Sequence, residues 1–195
     1  MRMNMSFHLP KKKMQTILVT SAQEGEGKTF YSSNIGVALA SSNSKVVILE
    51  LDKHNPELMG ALGAANSEIG ISNYLSPGTR TITIKDLLVP VNNNDNLFAI
   101  GLGSEKVDGL ESFNSVQMVQ FMEQLRNDFD YIVIDSAPIG TLADTLALSK
   151  YSDCCVFMVR ENYTHLDDLA ILEEAKRNKK FKNPMVVFND VGFIK

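Results

Sequence analysis

A glycine-rich segment near the amino terminus constrains this 195-residue chain more than any other feature. Residues 22–29 read Ala-Gln-Glu-Gly-Glu-Gly-Lys-Thr and fit the phosphate-loop spacing G/A-x-x-x-x-G-K-[ST], with Ala22 where a glycine often stands. The apolar run 16–19 precedes this loop, and a pattern typical of a helix follows over residues 30–40. A strand, a glycine loop and a helix in that order are the context that the motif requires. The sequence therefore predicts a nucleotide-binding protein.

Individual positions of the loop have separate chemical roles. Gly25 and Gly27 let the backbone curl so that its N–H groups point at phosphate oxygens, and the helix N-terminus adds a partial positive charge at the same place. Lys28 is expected to reach the β- and γ-phosphates, and the Thr29 hydroxyl is expected to bind Mg²⁺. The predicted nucleotide-binding residues of this segment are Glu24, Gly25, Glu26, Gly27, Lys28, Thr29 and Phe30.

The composition is that of an ordinary globular protein, with 44% hydrophobic and 22% charged residues. A net charge of −4 gives no reason to expect nucleic-acid binding. No apolar run approaches the ~20 residues of a membrane helix, and the polar amino terminus does not resemble a signal peptide. Cys154 and Cys155 are neighbours in an apolar run, so their side chains point to opposite faces of a strand and predict buried thiols without a disulfide. These features favour a cytosolic location.

Apolar runs of strand length alternate with helical patterns along most of the chain, which predicts a doubly wound α/β fold with a mostly parallel sheet. The whole chain, 1–195, is expected to form a single P-loop domain. Residues 55–95 are less regular, with a turn at 76–79 and a loop at 92–95. The predicted strands are 16–20, 45–51, 97–101, 131–135, 154–159 and 184–189, and the predicted helices are 29–41, 116–127, 141–150 and 165–178.

An aspartate follows the apolar strand Ile132–Ile134, in the arrangement known as Walker B. A carboxylate at the carboxyl end of a strand beside the phosphate loop can hold Mg²⁺ directly or through water. We therefore expect Asp135 to bind the metal ion, the alternative being an aspartate that only caps the next loop.

A second acidic pair ends the strand over residues 46–51. Glu50 and Asp52 are two positions apart, so both side chains leave the same face of an extended segment. Two carboxylates at one place repel, and a bound metal relieves that repulsion. We expect Asp52 to be the second metal-associated carboxylate and Glu50 to accept a proton from an incoming hydroxyl. The alternative for Glu50 is a solvated strand end.

These three motifs, in this order, resemble those of the bacterial tyrosine kinases that regulate capsule and exopolysaccharide synthesis. The family's first motif, S-x-x-P-G-E-G-K-[ST], matches residues 21–29 except for Glu24 at the proline. Its second motif, D-x-D-x-R followed by proline, is similar to residues 50–56, and its Walker B, D-[ST]-x-P, matches residues 135–138. Weaker similarities occur at residues 2–7, 70–75 and 187–191, and the last of these implies that Asn189 lies near the adenine.

The resemblance implies an ATP- and Mg²⁺-dependent tyrosine kinase that phosphorylates itself in trans. Lys28, Asp52, Glu50 and Asp135 would be its catalytic residues, and Thr29, Asp52 and Asp135 would hold Mg²⁺. It also implies a ring-like homo-oligomer, a membrane-spanning chain-length regulator as partner, a location at the inner face of the membrane, and a tyrosine-rich tail as substrate. Neither that tail nor the membrane-spanning region is in the sequence, which suggests an excised catalytic domain.

Two other readings remain open at this stage. Glu50 and His54 replace the first aspartate and the arginine of the second motif, which favours a weakly active nucleotide-binding module that controls assembly of an export complex. A partitioning-type ATPase of the same superfamily is the other alternative. Such ATPases carry a signature lysine early in the phosphate loop, where this chain has Gln23 and Glu24.

Overall fold

One mixed sheet organises the computed structural model, which describes residues 15–64, 67–76, 82–91, 94–106, 108–139 and 142–192. Its strands are β1 (Gln15–Ser21), β2 (Val46–Leu51), β3 (Val89–Val91), β4 (Asn94–Ile100), β5 (Tyr131–Ser136), β6 (Cys154–Arg160) and β7 (Pro184–Asn189). They lie in the order β3-β4-β2-β5-β1-β6-β7. Every neighbouring pair is parallel except β3 and β4, which are antiparallel. The predicted doubly wound, mostly parallel sheet is confirmed.

Helices cover both faces of this sheet. Those of eight residues or more are α1 (Lys28–Ala40), α6 (Val116–Asp128), α7 (Leu142–Ser149) and α8 (Leu166–Arg177), and the shorter ones are α2 (Leu58–Ala61), α3 (Ile71–Leu75), α4 (Ile84–Leu87) and α5 (Gly109–Asn114). All six predicted strands and all four predicted helices are present, with ends that differ by up to three residues. Some predictions concern residues outside the described ranges. They are the family similarity at 2–7, the turn beyond residue 76, the first half of the loop at 92–95 and the helix start at 141.

The elements that the sequence did not predict are β3 and the helices α2 to α5, each three to six residues long. So short a segment completes at most about one and a half helical turns, too few for an apolar period to emerge. One local signal was nevertheless available at α4. Thr83 and Asp86 stand three apart, and the Asp86 carboxylate accepts hydrogen bonds from the Thr83 N–H at 2.8 Å and from its hydroxyl at 2.7 Å.

Two apolar clusters, one on each face of the sheet, form the core. Val46 and Ile48 pack into the cluster beneath α1, while Val47 and Leu49 pack into the cluster beneath α6. The same alternation separates Cys154 from Cys155, which are buried, unbridged and on opposite faces. The prediction of buried thiols is confirmed, and burial raises the pKa of both.

Parallel register brings the ends of the central strands together. Asp135 pairs with Val19 of β1 on one side and with Glu50 of β2 on the other. Helix α1 approaches β2 closely because Gly36 has no Cβ: one built there would lie 2.4 Å from Ile48 Cδ1. The phosphate loop and the acidic strand ends therefore meet at one edge of the sheet. Within the described ranges, none of the helices is long and apolar enough to cross a membrane.

Candidate active site

The loop from Ala22 to Gly27 has a backbone that only glycine accommodates at two positions. Gly25 has φ +76° and Gly27 has φ +95°, both in the left-handed region. A Cβ on Gly27 would lie 2.2 Å from Asn189 Nδ2, so a side chain at this position would displace the Asn189 amide from the loop. Gly27 directly precedes α1, and the curled loop thus presents its N–H groups at a helix N-terminus, as a phosphate site requires.

Asp135 lies at the base of the site and is 1% exposed. The Thr29 hydroxyl donates a 2.8 Å hydrogen bond to its Oδ2 atom, and the Ser32 hydroxyl donates a 3.0 Å bond to Oδ1. Burial raises the pKa of Asp135 to about 6, and the two hydroxyls and the Lys28 ammonium partly oppose this rise. Sequence reasoning identified Thr29 and Asp135 but missed Ser32. The available signal was its spacing, one helical turn after Lys28.

Asp52 ends β2 as a second buried carboxylate, 5% exposed. Its Oδ1 atom accepts hydrogen bonds of 3.1 Å from the backbone N–H groups of His54 and Asn55. Its charge is the smallest of the causes that shift the pKa of Asp135, after burial, the two hydroxyls and Lys28. The predicted role of Asp52 as a metal ligand stays a prediction. The next residue, Lys53, makes a 2.8 Å ion pair with Asp144 of α7 and so ties the turn after β2 to the helix after β5.

Glu50 shares this face of β2 but has different partners. Its Oε1 atom accepts a 2.7 Å hydrogen bond from the Leu58 N–H at the start of α2, and Oε2 accepts a 3.4 Å bond from the Leu102 N–H. The carboxylate is therefore held by two backbone segments and is 5% exposed, not a solvated strand end. It lines a cavity of about 210 Å³ together with Met59 and residues 101–103.

The opposite side of the phosphate loop is held by the turn between β6 and α8. Glu26 is fully buried, and its carboxylate accepts hydrogen bonds from the Thr164 hydroxyl and from the Gln23 N–H, the latter at 2.9 Å. Arg160 donates a 3.1 Å hydrogen bond from Nη1 to the Gly25 carbonyl. The Glu26 side chain thus stabilises the loop from within, and the predicted contact of residue 26 with the nucleotide stays a prediction. Sequence reasoning missed Arg160 and Thr164, for which the available signal was their position after a strand of the predicted parallel sheet.

A pocket of about 310 Å³ opens beside this turn. It is lined by Gly25, Phe30, Arg160, Asn189 and Asp190. Phe30 and Asn189, both predicted to contact the nucleotide, thus meet here although 159 positions separate them. Phe30 is 66% exposed and offers a ring for a base to stack on. Glu24 is exposed, so at that position the backbone N–H is the group available to a phosphate.

The donor set fits Mg²⁺ bound together with a nucleotide. In the described part of the chain, no group of three or more His, Cys, Asp and Glu residues is arranged to hold a metal ion. The site instead offers the Thr29 hydroxyl and the carboxylates of Asp135 and Asp52, all oxygen donors suited to a hard cation that keeps waters and phosphate oxygens as its other ligands. Such a metal would bind between the nucleotide and the ends of β2 and β5.

Comparisons with known proteins agree with this geometry. The family described as AAA domain (AAA_31) matches residues 14–186. The tyrosine-protein kinase CpsD of Streptococcus pneumoniae serotype 4 is 28% identical over 177 residues, which cover 90% of this chain and 74% of CpsD. The tyrosine-protein kinase YwqD of Bacillus subtilis is 24% identical over 181 residues, covering 93% of this chain and 74% of YwqD. The resemblance to bacterial tyrosine kinases that the motifs predicted is confirmed by these relatives.

Solved structures establish the fold. The chimerical protein CapA2B2 superposes with a TM-score of 0.86 at 22% identity, covering 97% of this chain and 81% of that one. The cell-division protein MinD of Aquifex aeolicus gives a TM-score of 0.70 at 24% identity, with coverages of 91% and 70%. Both proteins share the fold of this chain, with the higher TM-score for CapA2B2.

Proposed function

This chain belongs to the AAA domain family, and from that membership we propose that it is an ATP- and Mg²⁺-dependent protein-tyrosine kinase acting in capsular or exopolysaccharide synthesis. The observation that supports this proposal is the set of groups gathered around Asp135. Two hydroxyls, the Lys28 ammonium and a second carboxylate surround this buried group beside a phosphate loop. The choice of tyrosine as acceptor rests on the names of the relatives, which are tyrosine-protein kinases.

Each residue has a defined part in such a transfer. Lys28 and the loop N–H groups would bind the β- and γ-phosphates, and Thr29, Asp52 and Asp135 would hold the metal ion. When bound, Mg²⁺ neutralises charge that develops on the transferred phosphoryl group. The ion pair between Lys53 and Asp144 fixes the turn that follows Asp52, so that the second carboxylate is in place before the nucleotide arrives. Phe30 and Asn189 would contact the base.

The acceptor side of the reaction is assigned to Glu50. Its carboxylate lines the cavity that also contains Met59 and Gly101, next to the strand end that carries Asp52. An incoming phenol in this cavity would meet an apolar wall and a fixed carboxylate. Two backbone N–H donors orient that carboxylate, which leaves its remaining lone pairs to accept the phenolic proton.

The assembly follows the family resemblance. We propose a ring-like homo-oligomer at the cytoplasmic face of the membrane, associated with a membrane-spanning chain-length regulator. The acceptor would be a tyrosine-rich tail supplied by a neighbouring subunit. No part for nucleic acid is proposed, because the net charge is −4.

A second candidate function is a nucleotide-binding module that transfers phosphate poorly and controls assembly of the export complex. The observation that favours it is the engagement of both Glu50 oxygens by backbone N–H groups, since those bonds occupy lone pairs that an incoming phenol would otherwise meet. A partitioning-type ATPase is disfavoured. Gln23 stands at the signature-lysine position, and its Nε2 atom donates to Asp168 of the same chain at 3.2 Å instead of extending outward.

The test is transfer of labelled γ-phosphate from ATP with Mg²⁺ to a synthetic tyrosine-rich peptide. Wild type is expected to produce labelled phosphotyrosine, and Lys28→Met is expected to produce none above background. Glu50→Gln keeps the shape of the side chain and removes the base, so it should lower kcat with little change in nucleotide affinity. Tight nucleotide binding by wild type without any transfer would favour the assembly module over the kinase.

A further inference from the structure

The five tyrosines of this chain all lie within the described residues, and they differ sharply in exposure. Tyr31 and Tyr151 are 3% and 7% exposed. Tyr131 is half-buried against the core, and Tyr74 packs its ring 5.2 Å from that of Phe121. Tyr163 is 42% exposed, more than any of the other four tyrosines. It is therefore the tyrosine of this chain that another molecule can approach most easily.

Tyr163 occupies an unusual position for an exposed residue. It lies in the turn after β6, closed by hydrogen bonds from the N–H groups of Tyr163 and Thr164 to the Arg160 carbonyl at 3.3 and 3.0 Å. Its Oη atom is 3.0 Å from the point that a Cβ on Gly25 would occupy, so the phenol lies against the phosphate loop. Arg160 packs over the ring at 5.1 Å from its centroid and also donates to the Gly25 carbonyl.

We propose that Tyr163 is an autophosphorylation site, and that a phosphate on it closes the nucleotide site of its own subunit. The proposal rests on the proposed kinase function. The reaction forms a bond between Tyr163 Oη and the γ-phosphorus of ATP. It breaks the bond from that phosphorus to the β,γ-bridging oxygen, ADP leaves with that oxygen, and the phenolic proton passes to the Glu50 carboxylate of the copy that carries out the transfer.

The topology favours transfer by a second copy of the chain. The carboxylates of Asp52 and Asp135 end β2 and β5, which lie on one side of the phosphate-loop strand β1. Tyr163 follows β6, which lies on the other side. Tyr163 thus lies on the flank of its own loop that is remote from those carboxylates, and the residue is 42% exposed to solvent on that side.

A phosphate on Tyr163 would oppose nucleotide binding through its negative charge and through the space it fills. A phosphate group on Tyr163 carries about −1.5 to −2 charges at pH 7 and would stand beside Gly25 and the Arg160 guanidinium. It would compete for the same loop N–H groups that bind the nucleotide phosphates, and it would repel those phosphates. The kinase would then switch itself off as it acts on its neighbours.

The experiment separates the acceptor from the enzyme. Tagged wild type is incubated with Mg²⁺ and labelled ATP together with untagged Lys28→Met as acceptor, and the tyrosine-rich peptide is present as an internal standard. Two further acceptors carry Lys28→Met with Tyr163→Phe or, as the matched control, with Tyr74→Phe. The acceptors are checked for folding by thermal melting, and the label is located by mass spectrometry.

We expect phosphate on Tyr163 of the Lys28→Met chain, a loss of at least 10-fold in its label with Tyr163→Phe, and full label with Tyr74→Phe. Wild type phosphorylated at Tyr163 should bind a fluorescent ADP analogue at least 10-fold more weakly than the unmodified protein. Labelled peptide without phosphate on Tyr163 overturns this inference and leaves the kinase function intact. If neither the peptide nor the Lys28→Met chain is labelled, both the Tyr163 site and the proposed kinase function are overturned. If ADP affinity is unchanged after phosphorylation of Tyr163, the proposed closure of the nucleotide site is overturned.

Discussion

The two flanks of the phosphate loop are built in opposite ways. On the β2 and β5 side, the groups assigned to chemistry are buried: Asp135 is 1% exposed, and Glu50 and Asp52 are each 5% exposed. On the β6 and β7 side, Tyr163 is 42% exposed and Asp190 is exposed as well, and the loop is held by side chains more than 130 positions away in sequence.

This difference separates two tasks. Burial strengthens the electrostatic interaction of carboxylates with a cation and a phosphate, which suits the flank that would carry out the transfer. The exposed flank braces the loop through hydrogen bonds at its rim, where entering ligands and neighbouring subunits have access. Substitutions on the first flank should therefore change transfer strongly, and those on the second should change loop order and affinity.

The largest effect is expected for Lys28→Met on the loop itself. It removes the cation that faces the transferred phosphate, so transfer to the peptide should fall by roughly 10²–10³-fold. Steady-state transfer of labelled phosphate measures this loss. The matched control is Lys176→Met, an exposed lysine on α8, which should transfer at the wild-type rate. A Lys28→Met protein with more than a tenth of wild-type activity would contradict the assignment.

Asp135→Asn tests the buried flank in two directions. Because the pKa of Asp135 is raised from 3.8 to about 6, the folded state favours the protonated form. Its contribution to stability is then complete below pH 3.8 and is lost as the pH rises through 6, an effect of roughly 3 kcal/mol. Asp135→Asn should therefore be more stable than wild type at pH 7 by up to that amount, with the difference shrinking towards pH 4.

Urea unfolding of the nucleotide-free proteins at several pH values measures that difference. Magnesium-dependent binding of ADP should weaken in the same variant, because a metal ligand is lost. Asp167→Asn, an exposed substitution at the start of α8, serves as control and should change neither quantity. A stability difference that is independent of pH would show that Asp135 is ionised in the folded protein throughout this range.

Thr164→Val tests the other flank, with a smaller expected effect. It removes one of the two hydrogen-bond donors to the fully buried Glu26 carboxylate, and the loss of a hydrogen bond to such a group costs about 2 kcal/mol. The free energy of unfolding should fall by that amount, and nucleotide affinity should fall as well. The kcat at saturating ATP should stay at the wild-type value. Thr164→Ser returns the hydroxyl and should restore both. If the valine and serine variants have the same stability and nucleotide affinity, the Thr164 hydroxyl does not stabilise the loop.

The smallest effect is expected at the ion pair of Lys53 with Asp144, which is partly solvated, with side chains 26% and 12% exposed. A double-mutant cycle with Lys53→Met and Asp144→Asn should give a coupling of about 0.5–1 kcal/mol in the free energy of unfolding. The magnesium concentration needed for half-maximal ADP binding should rise two- to five-fold in either single variant. A coupling of zero would mean that the turn after Asp52 is fixed by its backbone hydrogen bonds alone.

The fold could be predicted in large part because its signals are local. The strands β1, β2, β5 and β6 are continuous apolar runs, and α1 and α6 carry clear helical patterns. The start of α6 is fixed by a local contact as well, because the Ser115 hydroxyl accepts a hydrogen bond from the Met118 N–H at 3.1 Å. The antiparallel strand β3 escaped detection because three residues, one of them a proline, carry no periodic signal.

What the sequence determined by itself was the identity of the chemical groups and the strand ends that carry them. The spacing of glycines, lysine and threonine in one loop, and an aspartate after an apolar strand, are enough to specify a phosphate site, because parallel strands bring their carboxyl ends to a common edge. Only the tertiary structure decided what those groups do beside one another. It turned Glu26 inward to Thr164 and fixed Glu50 between two backbone segments. It also placed Tyr163 against Gly25, because contacts between residues more than 130 positions apart depend on strand order and on the path of each turn, which no local pattern records.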